Sequence, residues 1–256
     1  MNETLRLIQE RTSVRSFADR PVSDEDLAAI FHSAVRAPTA GNMMLYSILH
    51  VREPAKKQRL AETCGHSFIA SAPLVLVFLA DMQRWVDYFE IFGVPEHCEQ
   101  EGIPFRTPDA GKFVMACCDA LIAAQTTVLA AESLGIGSCY VGDIMAHREE
   151  HCALLHLPRW TFPVALLCYG YVPDGLERRP REQFAVKDIV HQEMYRRLER
   201  AEFEEMMRPI HERFADVLRR KELTLPQLTY RGFVLGDAAL EGARSTQAYL
   251  EEWRNP

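Results

Sequence analysis

The octapeptide ERTSVRSF, Glu10 to Phe17, gathers Arg11, Thr12, Ser13 and Arg15 into one short stretch of a chain whose formal net charge is -7. Guanidinium forks pair bidentately with phosphate oxygens and hydroxyls add short hydrogen bonds, so a phosphate monoester is a chemically matched ligand. Taken alone, the same residues also read as a solvated helix end with surface ion pairs. Two further stretches could supply donors. APTAGN, Ala37 to Asn42, is a tight polar turn able to present backbone N–H groups and an amide side chain. GIGSCYVGDI, Gly135 to Ile144, is glycine-rich, which lets backbone approach a planar or phosphorylated ligand. It does not fit G-x-G-x-x-G, because Tyr140 stands where the third glycine belongs, and this excludes a nicotinamide-type dinucleotide fingerprint.

These stretches need a scaffold, and the patterning describes one. SDEDLAAIFHSAVRA reads as a helix with Ser23 at the N-cap, Asp26 three residues on, and an apolar face of Leu27, Ile30, Phe31 and Ala34; Pro38 stops it. YSILHV reads as a strand, EPAKKQRLAETCG as a helix closed by Gly65, and PLVLVFLA as a strand buried on both faces. From the N-cap candidate Asp109, a run apolar almost all round reads as a core helix ended by Gly135. SCYVGD and FPVALLCYGYV read as two more strands around a short helix near HREEHCALLHL. The stretch from Asp81 to Pro108 mixes aromatics, prolines and charge without a clean period, the pattern of a lid or binding loop. Beyond about Pro180 the chain becomes a charged helical pattern, so the expected organisation is residues 1–190 as an α+β domain and 191–256 as a helical extension.

Composition narrows the function classes. The chain has 256 residues, 48% hydrophobic and 25% charged, enough for a sizeable core. Its acidic balance argues against a nucleic-acid partner. No run approaches the roughly 20 apolar residues of a membrane span, and the first residues lack a signal peptide's apolar stretch. Seven cysteines without C-x-x-C or zinc spacing suit a reducing cytoplasm. Cys117 and Cys118 read as inert thiols diverging on the core helix, and His147, His151 and His156 as surface or capping residues rather than metal ligands.

The residues from ERTSVRSFADRPVSDEDLAAIFHSAVRAPTAGN, then GIGSCYVGDI, then LLCYGYVPD followed by RRPRE form an ordered set that resembles the nitroreductase family of FMN-dependent oxidoreductases. The likeness covers roughly Thr4 to Val190. It implies an α-β-α sandwich with a mainly antiparallel sheet and an intertwined homodimer that builds two FMN sites at its interface. In those terms Arg11, Thr12, Ser13 and Arg15 serve the FMN phosphate, ribityl chain and pyrimidine edge, with Arg11 on the phosphate and Arg15 on the flavin edge. Pro38, Thr39, Ala40 and Asn42 reach the flavin from the other subunit. Backbone N–H groups around Val141, Gly142 and Asp143 lie near flavin N5, and Arg179 and Arg181 close over the phosphate. Many relatives follow the tight turn with N-x-Q-P-W, whereas here Met44 stands in place of the glutamine and offers no amide.

The implied reaction is ping-pong: NADH or NADPH passes hydride to flavin N5 and leaves, and a nitroaromatic, quinone or similar electron-poor acceptor takes its place. It needs no side-chain acid or base, which suits a sequence without a triad or carboxylate pair. Tyr88, Phe89, Phe92 and Phe105 are candidates for aromatic walls over the flavin, with a core role as the alternative. Other readings are an FMN-binding protein without turnover, acting as sensor or carrier, and a different flavin reaction such as dehalogenation or dehydrogenation.

Overall fold

The computed structural model describes residues 1–254. The chain opens with α1 (Glu3–Glu10), an extended segment, and α2 (Asp24–Val35). Ser23 caps α2 by accepting from the Asp26 N–H at 3.1 Å, while the Asp26 carboxylate accepts from the Tyr171 hydroxyl instead of closing a capping box. A 3₁₀ turn at Ala40–Asn42 leads to β1 (Tyr46–His50), then α3 (Pro54–Thr63), the short α4 (Phe68–Ser71) and β2 (Leu74–Asp81). The stretch expected to be an irregular lid folds instead into α5 (Gln83–Ile91) and α6 (Val94–Glu101). Gly93 and Gly102, both at positive φ, divide it into helices too short for a period to show in the sequence. After α7 (Ala110–Ser133) come β3 (Ile136–Val141), a 3₁₀ turn at Gly142–Met145, α8 (Arg148–Leu155) and β4 (Thr161–Tyr171). Four helices complete the described chain: α9 (Val186–Ile189), α10 (Arg200–Lys221), α11 (Leu225–Phe233) and α12 (Asp237–Arg254).

The four strands form one sheet in the order β1-β2-β4-β3, every neighbouring pair antiparallel. Strand side chains alternate between faces, and both faces are covered. Leu74, Leu76, Phe78 and Ala80 of β2 enter one apolar cluster with Ile30, Phe113 and Ala120, while Val75, Val77 and Leu79 enter a second with Leu60, Cys64 and Ile69. β4 changes phase midway: Phe162 and Val164 share a cluster with Leu167 and Tyr169. The register slips by one residue there, between the Ala165–Phe78 and Pro163–Leu79 pairs. A bulge accounts for that slip and for a proline inside a strand.

α7 lies across this sheet, contacting all four strands. It is 24 residues long and passes the length and composition test for a membrane span, a run the residue pattern had not revealed because Asp119, Gln125 and Glu132 interrupt it. Its buried face and its packing on the strands make it the central helix of a layered domain. It is not buried all round, however. Val114, Leu121 and Ile122 are exposed together with Cys118 and Gln125 along one stripe.

The contacts divide the chain into two compact units. One comprises Met1–Arg178 and the segment from Glu241; the other is Arg179–Leu240. The division falls ahead of the expected boundary at Val190, and most of α12 belongs to the first unit. Tyr249 and Trp253, one helical turn apart, are each 1% exposed and pack edge-to-face on Phe162, Phe113 and Trp160. Two aromatics in a charged helix are a faint periodic signal, which is why this helix read as part of an extension. The second unit holds α9 to α11, with an apolar groove lined by Met206, Met207, Leu225, Tyr230 and Phe233.

Candidate functional site

The opening motif adopts extended backbone after α1 and joins the free edge of the sheet. Ser13 bridges Ser138 of β3 in parallel, and the Val14 N–H donates to the Ser138 carbonyl at 2.9 Å. Parity then sorts the side chains. Val14 turns inward and is 2% exposed, while Ser13 and Arg15 are exposed and Arg11 is half-buried. Two glycines permit this seat. A β-carbon at Gly137 would stand 2.6 Å from Val14 Cγ2, and one at Gly170 would stand 2.8 Å from Phe17 Cβ. Gly137, expected to bring backbone close to a ligand, thus makes room for the arginine-bearing segment itself.

Arg11 and Arg15 form no ion pair among the described residues. Their charges are felt by the neighbouring β3 side chains. Burial pushes the Cys139 thiol up, and Arg15, Ser13 and Arg11 pull it part of the way back. Burial likewise raises the Tyr140 phenol to about 12 against the opposing charge of Arg11. Two arginines and a hydroxyl with no acid to neutralise them match a dianionic phosphate, and FMN is a ligand of that chemistry. Gly142 and Asp143, which open the 3₁₀ turn at the end of β3, carry backbone N–H groups to which the turn offers no acceptor. The donor set therefore fits FMN.

Thr12 also makes a contact within the chain. Its hydroxyl accepts from Arg178 Nε at 3.0 Å, and Arg178 pairs through its terminal nitrogen with the buried carboxylate of Glu132, near the end of α7. Arg178, first of the RRPRE residues, thus ties the opening motif to α7. Arg179 and Arg181 stand in the second unit.

The polar turn is held from behind. Asp119 of α7, 2% exposed, accepts from the Ala40 N–H at 3.0 Å and the Leu45 N–H at 3.2 Å, and the Thr39 hydroxyl accepts from the Met44 N–H at 3.2 Å. The N–H of Ala40 is therefore spent inside the chain, and Thr39 uses one of its acceptor sites there. Pro38 and Asn42 are exposed, and Asn42 and Met44 both sit at positive φ, 57° and 51°. Among the described residues, no hydrogen bond joins this turn to the opening motif. Asp119 escaped selection in the sequence, although a lone acid inside an apolar helix was a readable sign of a buried acceptor.

Of the proposed aromatic walls, Tyr88, Phe89 and Phe92 form one cluster with Trp85 on α5, with Tyr88 and Phe92 exposed. Trp85 Nε1 donates to the Met43 carbonyl at 3.0 Å, linking that cluster to the polar turn. Phe105 lies outside it. Cys117 is half-buried, its thiol raised by burial to about 12, whereas Cys118 is exposed rather than in the core. His147 and His156 occupy the N-cap and C-cap of α8. His151 is fully buried, contrary to a surface role. Its Nδ1 lies 2.9 Å from the Ile144 carbonyl and its Nε2 2.8 Å from the Thr63 hydroxyl, bracing the turn after β3.

The Nitroreductase family profile matches residues 8–171, from the end of α1 to the end of β4. The chain belongs to the nitroreductase family. Over 196 residues it is 31% identical to an FMN reductase (NAD(P)H) of Bacillus subtilis (strain 168), covering 76% of this chain and 75% of the relative. It is 29% identical over 200 residues to an oxygen-insensitive NADPH nitroreductase of Salmonella typhimurium (strain LT2), covering 78% and 77%. Among solved structures it is similar to B. megaterium NfrA2, with a TM-score of 0.78, 27% identity and coverage of 99% and 98%. The nitroreductase match ends before Arg179 and Arg181, while it includes the opening motif, the polar turn and the residues after β3.

Proposed function

We propose that this nitroreductase-family chain is an FMN-dependent oxidoreductase that takes electrons from NADH or NADPH and delivers them to small electron-poor acceptors such as nitroaromatics or quinones. The observation that carries the reading is the acid-free face of Arg11, Ser13 and Arg15, seated by Gly137 on the strand that ends at Gly142 and Asp143. Relatives named as an FMN reductase and a nitroreductase support it. FMN, when bound, supplies the redox chemistry. Arg11 holds the phosphate, Ser13 the ribityl chain, and Arg15 the polar edge of the ring, where positive charge stabilises the reduced form. The N–H groups of Gly142 and Asp143 orient the ring's reacting edge, with Val141 as the buried strand residue behind them.

The site is proposed to be completed in a homodimer. The exposed stripe of Val114, Cys118, Leu121, Ile122 and Gln125 on α7 supports this, because such a face on a central helix is suited to burial against a second copy. Pro38, Asn42 and the segment with Thr39 and Ala40 then approach the flavin from the partner subunit. Seven free cysteines accord with a reducing, cytoplasmic setting.

Titrating the apoprotein with FMN tests the site. Removing one charge-assisted phosphate contact costs about 1.5–3 kcal/mol, so Arg11→Ala should weaken FMN binding about 10- to 100-fold. Stoichiometric FMN held by that variant at wild-type affinity would displace Arg11 from its role.

A further inference from the structure

Two exposed titratable side chains meet at the turn after β3, whose backbone is proposed to face the flavin. His66 stands on the turn that closes α3 and Asp143 on the 3₁₀ turn after β3, and His66 Nε2 lies 3.2 Å from Asp143 Oδ2. Their side chains are 42% and 43% exposed, so the pair opens to solvent rather than propping the core. The imidazole packs against Phe68 at 5.4 Å between ring centroids, which limits its rotation. Its Nδ1 makes no hydrogen bond among the described residues. Cys64 also lies close to Asp143, and burial pushes its thiol up to about 12, so it stays uncharged.

The arrangement is that of a proton donor. A carboxylate paired with one imidazole nitrogen fixes the ring's orientation and leaves the other nitrogen free to exchange a proton with a bound compound. It stands on the residue whose backbone N–H is proposed to face the flavin. We propose that His66, oriented by Asp143, donates the proton that completes reduction of an oxygen-bearing acceptor; this rests on the FMN-oxidoreductase reading above. A quinone that gains a hydride, drawn ultimately from reduced nicotinamide, holds the new electron pair as negative charge on oxygen. The Nδ1–H bond of the imidazolium breaks, its electron pair stays on nitrogen, and an O–H bond forms to give the hydroquinone. Asp143 keeps the Nε2–H, and water returns a proton to Nδ1 through the exposed side of the ring. The acceptor class is thereby narrowed to compounds that must be protonated on oxygen as they are reduced: quinones and nitro compounds rather than simple electron acceptors.

The test compares re-oxidation of the NADPH-reduced holoprotein by 1,4-benzoquinone, which needs a proton, with re-oxidation by ferricyanide, which takes electrons alone. General acids contribute about 100- to 10,000-fold, and solvent recovers part of that, so in His66→Ala the quinone-to-ferricyanide rate ratio should fall at least about tenfold. Added imidazole should restore it, and Asp143→Asn should lower the same ratio. FMN affinity of His66→Ala, measured by fluorescence titration, should not follow this pattern. An unchanged ratio in His66→Ala, or a lowered ratio that imidazole does not rescue, overturns the donor role. Wild-type protein that binds no FMN, or holds FMN that NADPH does not reduce, overturns the parent reading and the donor with it.

Discussion

The carboxylate of Asp119, on the central helix, accepts a hydrogen bond of 3.0 Å from the backbone N–H of Ala40, and its second oxygen takes the Leu45 N–H at 3.2 Å. One buried side chain thus holds both ends of the polar turn that carries Asn42. Asp119→Ala leaves two N–H groups without acceptors, at about 1–3 kcal/mol each if they stay buried. A lowered midpoint in urea or thermal unfolding should follow, with a smaller loss for Asp119→Asn, whose amide keeps one acceptor. Wild-type stability in Asp119→Ala would show that the turn finds other partners.

Gly137 and Val14 make a second prediction. A methyl group at Gly137 meets Val14 Cγ2 at 2.6 Å, too close for either to remain in place. Gly137→Ala should lift the arginine-bearing segment from β3 and weaken FMN binding by about tenfold, the order of one lost charge-assisted contact. Trimming the obstacle in a Gly137→Ala, Val14→Ala double variant should recover part of that affinity. If the single variant binds FMN normally, the seat is not what orders Arg11 and Arg15.

These contacts show where sequence was informative. The helix starts at Ser23 and Asp109, the stop at Gly65 and the doubly buried strand at Leu74–Asp81 were legible because capping, left-handed glycine and unbroken apolar runs are local signals. Arg11, Ser13 and Arg15 stood out as a group, and strand parity places Ser13 and Arg15 on the exposed face. Asp119, Arg178 and Trp85 were not found, since each acts on a residue more than forty positions away in the chain. The contact of the Thr12 hydroxyl with Arg178 left no local sign either. The packing of α12 left little sign for a similar reason: Tyr249 and Trp253 find their partners only once β4 and α7 are assembled.

The aromatic anchor of α12 should be costly to remove. Trp253 is 1% exposed and packs on Phe113 and Trp160, and truncating a buried aromatic costs about 3–5 kcal/mol. Trp253→Ala should therefore lower the unfolding midpoint strongly, while an exposed aromatic such as Phe233, which is 82% exposed, should tolerate alanine with little change in the isolated chain. Equal effects of the two substitutions would contradict the assignment of α12 to the first unit's core.

Stability should also depend on pH through His151. Burial lowers its pKa in the folded chain, so the native state disfavours the proton that the unfolded state binds below about 6.5. Its contribution is intact above that value and is lost as pH falls towards the folded pKa. His50, lowered for the same reason, acts in the same direction. Unfolding midpoints of wild type should fall as pH drops below about 6.5, and His151→Asn should show a shallower fall, the remainder coming from His50. An identical slope in the variant would remove His151 from this account.

The central claim is tested most directly by mixing the FMN-loaded protein with NADH or NADPH anaerobically in a stopped-flow instrument. The account predicts that the yellow absorbance bleaches rapidly with at least one of the two, and returns when a quinone or nitroaromatic is added. Bound FMN that neither nucleotide reduces on the timescale of turnover would contradict it.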